Sequence, residues 1–159
     1  MQQSFLLSLL VQDHPGVLQR ICMLFSKRGF NIASITVGGS EQAGLSRMTI
    51  RTYGDRHVMQ QMIHQVNKLI DVIQVEPIEQ PYERELVLLK IETGDMDCLE
   101  LAQLTGSFGG KMNHLEDDTC IVEMSGDMHD VQWFLEAMQR YPIVQSVRTG
   151  VAAISATRS

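Results

Sequence analysis

The chain has 159 residues, 44% of them hydrophobic and 20% charged, with a net charge of −6. That is the composition of an ordinary soluble globular protein, long enough for one large or two small domains. The acidic balance argues against nucleic-acid binding, and the longest apolar run, Phe5 to Val11 broken by Ser8, is far short of the roughly 20 residues of a membrane span.

In chain order, the apolar run over Ser4–Val11 predicts a first strand. Asp13, His14, Pro15 and Gly16 follow, and a helix is expected from about Pro15 to Arg28, with Asp13 or His14 as its cap and Pro15 in its first turn. Val17, Leu18, Ile21, Leu24 and Phe25 recur at helical spacing and define one buried stripe. Lys27 and Arg28 give a basic last turn, and Gly29 a left-handed stop. A second strand is expected over Asn31–Val37, a hairpin loop over Gly38–Gly44 and a third strand over Leu45–Tyr53. Asp55 stands where a cap belongs, ahead of Val58, Met59, Met62, Ile63, Val66 and Leu69 at three- and four-residue intervals. Asp71–Glu76 completes the order βαββαβ.

Pro77 and Pro81 bracket a short stiff joint, after which the order repeats. The expected elements are a strand over Glu85–Ile91, a helix over Met96–Ser107 stopped by Gly109-Gly110, and a strand over Lys111–Glu116. A turn at Asp117-Asp118, a strand over Thr119–Met124, a helix capped by Asp127 and a strand over Ile143–Val147 follow. The predicted fold class is α+β: tandem ferredoxin-like βαββαβ units, each an antiparallel sheet with both helices on one face. The boundary is expected at Pro77, giving domains 1–77 and 78–159. Units this small bury limited core and often pair, and the edge strand beginning at Asn31 is placed to do so across a two-fold axis, so a homodimer is expected.

Cys22, Cys98 and Cys120 are odd in number, far apart and set in apolar patterns, which reads as core thiols of a reducing compartment. With no basic leader and cleavage site at the start, the expected location is the cytoplasm. The ten methionines read mostly as adaptable core filler. No Ser-His-Asp grouping, nucleophile elbow or Walker loop is present. His57, His64, His114 and His129 lack metal-ligand spacing and read as surface or structural residues; Asp95, Asp97, Asp117 and Asp118 read as turn and cap residues. No catalytic residue and no metal site is expected. Lys27-Arg28-Gly29-Phe30 imitates the start of an RNA-recognition signature. It closes a helix, however, and continues without the aromatic residues that would stack bases.

The loop at residues 13–17 is the one place where chemistry is expected. A helix start offers unpaired N–H groups and partial positive charge, which suit a carboxylate, and Gly16 allows close approach to the backbone. The same residues also read as a plain cap and a relaxed turn.

Asp13-x-Pro15-Gly16-x-Leu18 after a strand resembles the ACT domain, a regulatory module that binds small amino acids. A longer match covers nearly the whole chain. Arg28-Gly29-Phe30-Asn31-Ile32-x-Ser34-Ile35-Thr36-Val37, Leu45-Ser46-Arg47-Met48-Thr49-Ile50, Gln65-x-Asn67-Lys68-Leu69-Ile70-Asp71-Val72, Glu83-Arg84-Glu85-Leu86 and Arg148-Thr149-Gly150-Val151 resemble the small regulatory subunit of acetolactate (acetohydroxyacid) synthase. That resemblance implies a non-catalytic subunit that activates a separate catalytic chain and mediates feedback inhibition by valine in branched-chain amino acid biosynthesis. The partner chain would carry thiamine diphosphate, magnesium and FAD; no cofactor is implied for this one. It also implies a ligand site between two ACT units of a homodimer, with Asp13, His14, Pro15, Gly16, Val17 and Leu18 of one protomer meeting Asn31 and Ile32 of the other. Many members of that family carry Asn in place of Asp13; a carboxylate there can pair with an ammonium but cannot donate a hydrogen bond. The alternative is a free-standing ACT-type amino-acid sensor acting on another protein.

Overall fold

The computed structural model describes residues 3–96, 98–114 and 118–157, the side chain of His114 excepted. It contains two compact units, one formed by residues 1–82 with 151–159 and the other by residues 83–150. In the first, β1 (Gln3–Gln12), α1 (Val17–Lys27), β2 (Ile32–Gly39), β3 (Leu45–Gly54), α2 (Arg56–Val66) and β4 (Val72–Pro77) follow one another. Their strands lie in the order β2-β3-β1-β4, all neighbours antiparallel. The second unit repeats the plan. There β5 (Pro81–Glu92), α3 (Cys98–Ser107), β6 (Lys111–His114), β7 (Thr119–Gly126), α4 (Met128–Met138) and β8 (Ile143–Arg148) give the order β6-β7-β5-β8.

Alternation along β1 explains the first core. Leu7, Leu9 and Val11 point to one face and meet Val17, Ile21 and Phe25 of α1, Met62 and Val66 of α2, and Met48 and Ile50 of β3. Both helices therefore cover the same face. In the second unit Val87, Leu89 and Ile91 do the same against Leu101, Val131, Phe134 and Met138. Gly29, at φ +72°, ends α1 as the spacing predicts. Phe30 N–H donates to the Phe25 carbonyl across 2.9 Å while the two rings meet edge to face at 6.2 Å.

The caps expected at Asp55 and Asp127 are present: Asp55 accepts from Val58 N–H, and Asp127 from His129 and Asp130 N–H. Those backbone donors hold the Asp127 carboxyl below its usual range. A carboxylate whose folded pKa is depressed stabilises above its unfolded pKa and loses that contribution as pH falls through the folded value. Asp127→Ala is expected to cost about 1 kcal/mol at pH 7. The gap between variant and parent should close below about pH 4 in urea titrations run across pH, since the unfolded group titrates near 3.9.

Two expectations need correction, on the start of the first helix and on the cysteines. The first helix does not start at Pro15: Pro15 lies in the preceding turn, and α1 begins at Val17 because Gly16 takes the left-handed conformation at its cap position. The compact units do not follow the expected 1–77 and 78–159 ranges residue for residue. The division falls after Tyr82, and residues 151–159 return to the first unit. The physical reason is a second, small apolar cluster in which Val151 and Ala153 bury against Leu6 and Ile78, on the sheet face away from the helices. That tail forms β9 (Ala152–Ser155), and with Ser8, Arg47 and Glu76 it bounds a cavity of about 330 Å³. Of the cysteines, all three are free but Cys120 alone is fully buried, its thiol pKa raised by desolvation; Cys22 and Cys98 are half-exposed.

Met48, Met62, Met124 and Met138 are core residues, while Met23 and Met128 are exposed. Asp97, Asp117 and the end of the strand expected over 111–116 lie outside the described residues. Asp118 makes the expected turn, its carbonyl accepting from Thr93 N–H at 2.7 Å.

Candidate functional site

The loop between β1 and α1 is anchored on both sides by backbone. Gln12 N–H donates to the Asp71 carbonyl and Asp13 N–H to the Gly44 carbonyl, each across 2.9 Å, so the loop sits beside the β2–β3 hairpin and the start of β4. Gly16 has φ +91°, and no side chain caps α1. Asp13 and His14 are therefore not the cap that their positions suggest; the His14 ring is drawn to Asp71 instead. The helix start therefore has no side-chain acceptor, only the 3.5 Å contact from Val17 N–H to the His14 carbonyl, unlike α2 and α4, which carry aspartate caps.

His14 Nε2 lies 3.0 Å from Asp71 Oδ1 and Nδ1 lies 3.1 Å from the Pro15 carbonyl oxygen. Both oxygens are acceptors, so both contacts are made at once only by the imidazolium. Arg20 Nε lies 2.7 Å from Asp71 Oδ2 in an ion-pair contact. The Asp71 side chain is only 9% exposed, against 46% for each of its two partners. Neither Asp71 nor Arg20 was evident as a site residue from the sequence. Arg20 follows Gly16 by one helical turn, a spacing that places it over the loop; the Asp71 pairing is long-range and leaves no local signal.

The remaining expected residues divide. Asp13, Pro15 and Gly16 are exposed, and Leu18 is 44% exposed beside them. Val17 is not available as a pocket wall: at 3% exposure it packs into the core, since the first position of α1 falls on the buried stripe. Ile32 is half-buried against the same core, and Asn31 is exposed, its carbonyl accepting from Thr52 Oγ1 at 2.7 Å. Asn31 and Ile32 do not meet the loop within one chain. Ile32 pairs with Thr52, which pairs with Phe5, whereas the loop follows Gln12. At about 3.3 Å per residue the two groups stand roughly 20 Å apart, at opposite ends of the sheet. The strand that starts beside Asn31 is β2, an edge of its sheet.

No group of three or more His, Cys, Asp or Glu among the described residues could hold a metal ion. Among those residues, too, no helix is long and apolar enough to cross a membrane. In the second unit, Arg148 and Glu85 form a two-pronged pair between β8 and β5 (Nε to Oε1 2.6 Å, Nη2 to Oε2 3.0 Å), and Glu85 raises the arginine's pKa further.

Two βαββαβ units, the first with an open helix start beside a glycine loop, define an ACT-type regulatory architecture. Residues 7–74 match the family described as the acetohydroxyacid synthase small subunit-like ACT domain, and residues 84–157 that of the small subunit of acetolactate synthase. The chain is 42% identical to the probable acetolactate synthase small subunit of Methanothermobacter thermautotrophicus, covering 96% of this chain and 92% of that one. It is 35% identical to the isozyme 3 small subunit of Salmonella typhimurium over 94% of each. The crystal structure of the Thermotoga maritima small subunit superposes with a TM-score of 0.92, at 35% identity and 99% coverage of both chains. The chain belongs to the acetolactate synthase small-subunit family.

Proposed function

We propose that this small subunit activates a separate, thiamine-diphosphate-dependent catalytic chain and conveys feedback inhibition by valine, bound between two copies of its first unit. One observation carries the reading. The uncapped start of α1 lies at one end of the sheet, and Asn31 lies at the other end on an edge strand. Pairing two β2 edges antiparallel across a two-fold axis turns one sheet end for end, so Asn31 of each protomer comes beside the loop of its partner. The crevice so formed would offer helix-start amides to the effector carboxylate, the Asn31 amide as donor and acceptor, and Leu18 as an apolar wall. Binding in one dimer arrangement over another then shifts the activity of the attached catalytic chain by linkage. Thiamine diphosphate, magnesium and FAD belong to that partner and supply its chemistry.

Sedimentation equilibrium is expected to give twice the monomer mass across micromolar concentrations, and a concentration-independent monomer would remove the site. The decisive experiment is reconstitution with the cognate catalytic subunit. Acetolactate formation should rise when this chain is added and fall again with valine. Stimulation that valine leaves untouched would refute the effector assignment, and no stimulation would refute activation.

A further inference from the structure

Arg20 stands one turn inside α1 and is tied to the loop twice. Its N–H donates to the Gly16 carbonyl at 3.0 Å, and its Nε is engaged by Asp71 Oδ2 at 2.7 Å. That ion pair holds the guanidinium beside Asp71 and leaves the Nη donors outside the contact. One of them lies near the glycine: a Cβ built on Gly16 would meet Arg20 Nη1 at 3.9 Å, an ordinary contact distance. The face of Gly16 left open by the missing side chain is thus overlooked by a half-exposed guanidinium, held there by a carboxylate that is nine-tenths buried. Asp71 binds both ends of this arrangement, since its backbone carbonyl accepts from Gln12 and its other carboxylate oxygen faces His14.

We propose that Arg20 is a further effector-binding residue whose Nη donors take the carboxylate of an α-amino acid at Gly16, and that Asp71 is the positioning residue that aims it. This rests on the reading of the 13–18 loop as the effector site. A helix start alone attracts an anion weakly and without direction, whereas a planar fork beside it adds charge and orientation. Arg20 and Asp71 would therefore set the preference for a free carboxylate, and the loop and Leu18 the fit of the rest.

Calorimetry with valine and with valinamide, which keeps the ammonium and side chain but lacks the carboxylate, tests this on the intact dimer. Wild-type protein should prefer valine by about tenfold or more, as expected for losing a charge-assisted contact. In Arg20→Gln, with folding checked by its melting temperature, valine affinity should fall by about the same factor while valinamide affinity stays within about threefold, so the preference collapses. Asp71→Asn, which keeps the shape of the buried side chain, should narrow the preference in the same direction and shift loop amide resonances at residues 14–18, leaving those of Ile21 and Val66 in place. Equal loss of both ligands, or an unchanged preference in both variants, would overturn the inference and leave the loop assignment standing. Failure of wild-type protein to bind valine at all would remove the loop assignment itself, and this inference with it.

Discussion

Gly16→Asp is expected to weaken valine binding by about a hundredfold or more, the largest single-residue effect on the proposed site. Two causes act together. At φ +91° any side chain is strained, by about 1–2 kcal/mol, although aspartate tolerates this region better than most. More important, an aspartate at the cap position of α1 brings its own carboxylate to the amides that the effector needs, as Asp55 and Asp127 do on α2 and α4. The variant would thus carry an internal competitor for its ligand, and the added negative charge would repel a second carboxylate a few ångströms away. Gly16→Ala separates the causes, because it keeps the strain and brings no carboxylate; space is not limiting there, with one atom at 3.9 Å. The expected order of affinity is wild type, then Ala, then Asp. Thermal midpoints should differ by only a few degrees, since the cap gained offsets part of the strain. Calorimetric affinities for Asp and wild type that agree within threefold would show that the effector does not use this helix start.

How much of this was legible beforehand follows from how local each cause is. The period of 2 in β1 and the three- and four-residue spacing of Val17, Ile21 and Phe25 are properties of neighbouring residues, so the βαββαβ order could be read directly. The same holds for the caps at Asp55 and Asp127. It also holds for the separation of Asn31 from the loop: a strand running up the sheet followed by a helix running down returns the chain to the end where it started. The helix start was misjudged because Pro15 and Asp13 fit the first turn and cap on composition, while the left-handed state of Gly16 is decided by the three-dimensional path into α1. Val17 was counted for both the core and the site; burial gives it to the core. Asp71 looked like the first residue of a strand. Its buried carboxylate gathers His14 and Arg20 from another part of the sequence, and such pairing has no periodic trace. β9 was missed for a related reason. Two alanines, an exposed Ile154 and a serine, with a single buried position at Ala153, make no alternating pattern that stands out from a loop.

That missed strand carries the second large effect. A chain ending at Gly150 is expected to lose roughly 3 kcal/mol of stability in its first unit, although the cut falls after the last strand of the second. Val151 is 3% exposed and Ala153 8%, packed with Leu6 at 7% and Ile78 at 8%, so removing the tail uncovers apolar side chains on β1 and just after β4. Burying one valine side chain is worth about 1.5–3 kcal/mol, and the uncovered surface of Leu6 and Ile78 adds to that. The deletion also removes backbone and hydroxyl bonds, Ala156 N–H to the Gln80 carbonyl and Ser155 Oγ to the Glu79 carbonyl, each at 3.1 Å. For a unit of this size the loss corresponds to a fall of about 10 °C or more in its melting temperature. Val151→Asp should reproduce most of it without shortening the chain, because a carboxylate would be placed in an apolar cluster with no partner. Hydrogen exchange locates the effect: amides of β1 around Leu6 should lose protection by at least about tenfold, following the lower free energy of opening. If both variants melt with the parent, the tail rests on the first sheet without supporting it, and the return of residues 151–159 has some purpose other than completing this core.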